Sequence, residues 1–254
     1  MEFVIITGAS RGLGKAISTE LISSGKTLIL VARDYYALSQ LKDELNNCID
    51  CRIWIYPIDL SESEVSKDAI VELLEKINNE TKNYKLTFIN NAGSINPIKK
   101  VDQLSIDEVH YNLSVNFITP SLFISYIMKF SLLNDIELKI INISSGAYKK
   151  PISCWSLYSS AKAAMKMFLD TARNENLSNE KVKIVSFDPG VMDTDMQREI
   201  RSVKSDRFIE GSFYNNLYFE NKLLSATIVA KVIKMNLIHN WNVDKDFISI
   251  YEYI

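Results

Sequence analysis

Seven short apolar runs punctuate this chain, with six amphipathic stretches strictly between them. The runs are Phe3–Thr7, Thr27–Val31, Arg52–Tyr56, Leu86–Ile89, Lys139–Ile143, Lys183–Phe187 and Phe247–Tyr251. Most are β-branched and apolar at consecutive positions, the pattern of strands covered on both faces. Helical patterns lie over Gly14–Ser23, Tyr36–Asn46, Glu62–Thr81, Ile106–Leu132, Leu157–Asn176 and Ser225–Leu237. This alternation predicts an α/β fold, a doubly wound parallel sheet of about seven strands with helices on both faces. The length of 254 residues and the 47% hydrophobic content suit one domain over 1–254, and no repeat or Pro/Gly/Ser-rich linker divides it. Residues 193–221 break the rhythm with charges, aromatics and Asn after the sixth strand. They read either as a lid over a substrate site or as an ordinary surface excursion.

Bulk properties narrow the function. A formal net charge of −2, with both signs interspersed, offers no field for nucleic acid or an acidic membrane. No apolar run reaches the ~20 residues that span a bilayer. Met1 to Ile6 reads as a first strand rather than a leader, so the expected location is cytoplasmic. The three cysteines are too few for a disulfide framework. Cys48 and Cys51 have the spacing of a redox or metal pair, but no second pair completes a zinc site and His110 and His239 are distant in sequence. No metal is expected.

Two segments carry chemistry. After the first strand, Thr7-Gly8-Ala9-Ser10-Arg11-Gly12-Leu13-Gly14 leads into a helix. Glycines there allow a tight turn and close approach to a pyrophosphate, and the helix N-terminus adds free N–H groups and a positive dipole end. The second strand ends at Ala32-Arg33, where a carboxylate would favour NAD; Arg33, with Arg11 and Ser10 nearby, favours the 2′-phosphate of NADP, although Asp34 follows directly. Further on, Tyr158 and Lys162 stand at i and i+4, on one helix face. An ammonium beside the phenol is expected to lower its pKa below ~10 and make it a proton donor near neutral pH.

With these motifs the chain resembles the short-chain dehydrogenase/reductase family over nearly its full length. Thr7–Gly14, Asp59-Leu60, Asn90-Asn91-Ala92-Gly93, Asn116, Ile143-Ser144-Ser145-Gly146, Tyr158-x-x-x-Lys162 and Pro189-Gly190 occur in that family's order. The resemblance implies a Rossmann-type NADPH/NADP+ reductase acting on a small-molecule carbonyl substrate. It implies Tyr158 as the acid, Lys162 as its partner and ribose ligand, and Ser145, 13 positions before the tyrosine, as donor to the substrate oxygen. Asn116 would hold a helix bend and a water for a proton relay. Gly8, Ser10, Arg11, Gly12, Leu13, Gly14, Arg33, Asp59, Leu60, Asn91, Ala92, Gly93, Pro189, Gly190, Val191 and Thr194 would bind the cofactor. A homodimer is implied through the long helices Ile106–Leu132 and Leu157–Asn176, whose apolar positions would serve equally well against the sheet.

A narrower resemblance lies in Trp155-Ser156-Leu157-Tyr158 and in Phe187 to Gln197, which look like the sepiapterin reductase branch and its bacterial relatives that reduce benzil to (S)-benzoin. It implies reduction of vicinal dicarbonyls, with Trp155, Met192 and Met196 contacting substrate beside Ser145 and Tyr158. Phe208, Phe213 and Tyr214 are further candidate wall residues. The animal pterin reductases carry an aspartate near the C-terminus; Ser249 stands near that place here, with Glu252 three residues on, which favours a less polar diketone. The alternative on the same fold is a reductase of 3-oxoacyl thioesters or of a sugar or steroid ketone.

Overall fold

The computed structural model describes residues 1–22, 25–46, 51–81, 83–203, 208, 210–241 and 243–254. Its strands are β1 (Glu2–Thr7), β2 (Lys26–Ala32), β3 (Arg52–Pro57), β4 (Lys85–Asn90), β5 (Glu137–Ile143), β6 (Val182–Asp188) and β7 (Phe247–Ser249). They form one parallel sheet in the order β3-β2-β1-β4-β5-β6-β7. The order reverses between β1 and β4, and such a switch point opens a crevice at the strands' carboxyl ends.

Strand residues alternate between two buried layers. Val4 and Ile6 join one core cluster while Phe3 and Ile5 join the other; Leu28/Leu30 and Ile29/Val31 divide the same way. With both faces covered, the strands read as continuous apolar runs. The first layer is closed by α1 (Gly12–Glu20), α2 (Tyr35–Leu45) and α9 (Ala226–Ile233). The second is closed by α3 (Ser63–Glu80), α5 (Thr119–Asn134) and α6 (Ser156–Glu175). Each buried Leu, Ile or Phe contributes about 1.5–3 kcal/mol, so these stripes hold the helices in place. Where β4, β5 and β6 end, a polar ladder replaces apolar packing: Asn90 Nδ2 donates to Asn142 Oδ1 (2.8 Å), and Asn142 Nδ2 to Ser186 Oγ (3.3 Å).

Most element ends fall within a residue or two of the sequence expectation, and four differences alter an element's course or extent. The first helix begins at Gly12 and ends at Glu20; Ser23 lies outside the described residues. The stretch Ile106–Leu132 is interrupted: α4 (Ile106–Leu113) passes through a wide π-turn (Ser114–Ile118) into α5. Uninterrupted, Ile106–Asn134 is a 29-residue run long and apolar enough by composition to cross a membrane, contrary to the sequence expectation. Its inward residues Phe123, Ile124 and Ile127 are fully buried in the second core layer. The last long helix likewise widens after Ile233 into a π-turn over Lys234–His239. Strand β7 stops at Ser249, whose hydroxyl and Glu252 cap a short 3-10 turn. Within 193–221 the chain forms α7 (Asp195–Ser202) and α8 (Gly211–Phe219); 204–207 and 209 lie outside the described residues, as does Cys48 of the Cys48–Cys51 pair.

Candidate active site

A cavity of about 360 Å3 follows the carboxyl ends of the strands across the switch point. One end meets Arg33 and Asp59, the middle meets the turn after β1, and the other end meets Ser145, Tyr158, Lys162 and Trp155.

The middle is built by glycine. Gly8 adopts φ +65°, and a Cβ there would meet Ala92 Cα at 2.9 Å. A Cβ on Gly14 would lie 2.1 Å from the Gly8 carbonyl oxygen, so this residue serves helix–turn packing and does not itself line the cavity. Thr7 Oγ1 accepts from Asn91 N and Ala92 N (both 3.0 Å), while Asn91 Nδ2 donates to Thr7 O (2.9 Å). Asn91 thereby ties the β1 turn to the β4 turn, with Ala92 and Gly93 lining the cavity beside it. Helix α1 has no side-chain cap and no acidic residue in its first turn. Its N–H groups stay available to an anion, and Ser10, Arg11, Gly12 and Leu13 face the cavity around them.

At the outer end, Asp34 caps α2 through Ala37 N (3.0 Å) and is absent from the cavity wall. The strand-end carboxylate is thus committed to a helix, leaving Arg33 as the charge at this position. Its Nη1 reaches the Tyr111 hydroxyl at 3.4 Å, and both residues line the cavity. Arg11 pairs with Asp195 across the mouth at 3.6 Å. Asp59 accepts from Ser61 N (2.9 Å) and lines the wall with Leu60. A groove with an uncapped helix N-terminus at its centre and Arg33 at its outer end fits a dinucleotide phosphate.

At the inner end, Tyr158 and Lys162 share the buried face of α6. Lys162 Nζ donates to Ile143 O (2.9 Å) and lies 5.6 Å from the Tyr158 ring centre. The Ser145 hydroxyl hydrogen-bonds the phenol, which separates it from neighbouring Ser144. Burial pushes Tyr158 up to about 12, against the expected lowering. Burial likewise pushes Lys162 down to about 8, with Asp188 acting in the opposite direction. Desolvation penalises both charged forms, so it outweighs the mutual effect inferred from spacing alone. Asn116 lies in the π-turn, is 3% exposed and does not line the cavity. It donates to Ser94 O (2.8 Å) and accepts from Ser94 N (3.0 Å), so it braces the loop after β4 where the helix bends. A Cβ on Gly93 would come within 3.1 Å of Asn116 Oδ1 and 3.9 Å of Lys162 Nζ, so both side chains approach that turn at the same glycine.

The third core cluster lies beside these groups. Trp155 stacks on Phe208 and Tyr214 and meets Tyr158 edge-on, with ring centres 5.3–5.8 Å apart. Cys154 takes a left-handed φ of +64° where the chain turns into α6. Met192, Met196 and Tyr214 line the cavity with Trp155; Phe208 packs behind them. Phe213 is 56% exposed on α8, a correction to its candidate wall role that follows from its position on the outer helix face. Pro189, Gly190, Val191 and Thr194 all line the cavity after β6. Ser249 and Glu252 do not; Glu252 is held by Ser249 N (3.0 Å) and Lys245 (2.6 Å).

Sequence reasoning gave no role to Asp188, Tyr111 or Gln197. Asp188 Oδ1 accepts from Gly190 N (3.1 Å), and its carboxylate also takes a hydrogen bond from the Gly146 backbone, joining the two turns that flank Tyr158. Its one local signal is an acid directly before Pro-Gly. Tyr111 and Gln197 look like ordinary helix residues in sequence.

Comparison with known proteins agrees with this geometry. The family model described as short chain dehydrogenase matches residues 2–205. A benzil reductase ((S)-benzoin forming) of Bacillus cereus is 35% identical over 237 residues, covering 92% of this chain and 93% of that one. A sepiapterin reductase of Xenopus laevis is 32% identical over 236 residues, covering 87% and 88%. Among solved structures, the KRED1-Pglu enzyme superposes with a TM-score of 0.80 at 25% identity, covering 94% of this chain and 98% of that one.

Proposed function

The chain belongs to the short chain dehydrogenase family, and from that premise we propose that it is an NADPH-dependent carbonyl reductase that converts a vicinal diketone to a hydroxyketone. The observation that carries this reading is the convergence of Ser145, Tyr158 and Lys162 at one end of a groove whose other end carries Arg33. The benzil reductase relative supports the substrate class.

Arg33 and Ser10 would take the 2′-phosphate, since Asp34 is used as a helix cap. The first-turn N–H groups of α1 would take the pyrophosphate, Asp59 and Leu60 the adenine side, and Lys162 with Pro189 to Thr194 the nicotinamide end. A dihydronicotinamide held there would supply the hydride to the substrate carbonyl carbon. Tyr158, held up to about 12, keeps its proton at neutral pH and gives it to the substrate oxygen as charge develops there. Ser145 donates to the same oxygen, and a donor already in place costs no reorganisation. Lys162, whose Nζ lies 5.6 Å from the Tyr158 ring centre, would replace the proton, with Asn116 bracing the turn beside it. Trp155, Met192 and Met196 would form an apolar, adaptable seat for the substituents.

We read the whole of 1–254 as one reductase domain, because one sheet collects every strand among the described residues. The 193–221 segment would frame the substrate through α7 and α8. We also propose a cytoplasmic homodimer joined through α5 and α6, where Leu133 and Met167 are exposed. Loss of NADPH absorbance with benzil tests the reading; NADPH binding without turnover of any vicinal dicarbonyl would discard it.

A further inference from the structure

Gln197 and Ile200 share one face of α7, a helical turn apart. That face is buried: Ile200 packs into the aromatic cluster of Trp155, Tyr158, Phe208 and Tyr214. Gln197 is 3% exposed and lines the cavity that contains Tyr158. Neither its Oε1 nor its Nε2 has a hydrogen-bond partner among the described residues. Trp155 Nε1, on the same cavity wall, is a second buried donor without one. Folded proteins avoid leaving such groups unmet, because each has given up water for nothing in return. Trp155 meets the reacting phenol edge-on and Gln197 lines the same cavity, so the two mark a polar subsite within an otherwise apolar seat.

We propose that the Gln197 carboxamide binds substrate, taking a lactam-like edge, an N–H next to a C=O, on the compound whose ketone meets Tyr158. This deepens the carbonyl-reductase reading and rests on it. A carboxamide presents an acceptor and a donor side by side. A diaryl diketone offers no donor and leaves Oε1 unmet, whereas a cis-lactam satisfies both atoms at once. Trp155 Nε1 adds a donor for a further carbonyl on the same ligand. Turning the amide towards a ligand breaks no hydrogen bond, so the move costs only rotamer energy.

Isatin and N-methylisatin, two vicinal keto-lactams differing only in the N–H, supply the probe. The wild-type enzyme is expected to favour isatin in kcat/KM by about tenfold or more, mostly through KM. In Gln197→Leu, which keeps the size of the side chain and removes both polar atoms, the ratio should fall to about one. Gln197→Glu should keep part of it, since a carboxylate still accepts from the N–H. Thermal melting of Gln197→Leu should be no lower than wild type, because no protein hydrogen bond is lost. An isatin preference that persists unchanged in Gln197→Leu overturns this assignment and leaves the reductase reading standing. Absence of turnover on both isatins and on benzil overturns both.

Discussion

Tyr158 and Lys162 show how far spacing carries and where burial takes over. Their i, i+4 placement puts both on the buried face of α6, as the sequence implies. The phenol is nonetheless pushed up to about 12 and the ammonium down to about 8, because both have left water. The pH dependence of reduction follows from this. Tyr158 keeps its proton throughout the neutral range, so the alkaline fall in kcat/KM should report Lys162 and centre near pH 8. Asp188 opposes the burial effect on Lys162. Asp188→Asn removes that negative charge, so the ammonium is less favoured and the fall should move to lower pH, as a pH–rate profile would read. A profile that stays in place would separate Asp188 from the proton-handling groups. Tyr158→Phe should cost about 10²–10⁴ in kcat while NADPH still quenches or binds as in wild type. The acid, the lysine and the serine were legible as residues; their protonation was not, because desolvation depends on what packs around them.

Among the elements, the junctions decide function. Strand β2 hands Arg33 to the cavity and immediately starts α2 on the Asp34 cap, so one dipeptide divides charge between cofactor and helix. Arg33→Asp should shift the NADPH/NADH ratio of kcat/KM towards NADH; an unchanged ratio would remove Arg33 from 2′-phosphate recognition. At the start of α1, Gly14 leaves no room for a methyl beside the Gly8 carbonyl. Gly14→Ala should lower Tm, at about 2–4 °C for each kcal/mol of backbone displacement. The seven strands and the helices between them were readable because two covered faces make each strand apolar throughout. The bend at Asn116 was implied by the family resemblance and not by the apolar pattern, which runs on through α4, the π-turn and α5. The division of 193–221 into α7 and α8 was hidden for the opposite reason: its aromatics face both inward, like Phe208 and Tyr214, and outward, like Phe213 and Phe219.

For the whole molecule, the sheet's reversal between β1 and β4 brings residues from segments as far apart as Gly8 and Tyr214 to one groove. The fold class follows from alternation alone, but the groove's contents depend on long-range packing. Trp155 reaches Tyr214 across 59 positions of chain, and that stack shapes the substrate end. The outer surface carries a further expectation. If α5 and α6 join two copies, light scattering should give twice the 29.0 kDa chain mass, and Met167→Glu should halve it.

The most direct test is NADPH oxidation with benzil, sepiapterin and an acetoacetyl thioester side by side, with Tyr158→Phe run in parallel. The account predicts turnover of the vicinal dicarbonyl ahead of the thioester, and its loss in the variant. Preference for the thioester, or turnover that survives Tyr158→Phe, would contradict it.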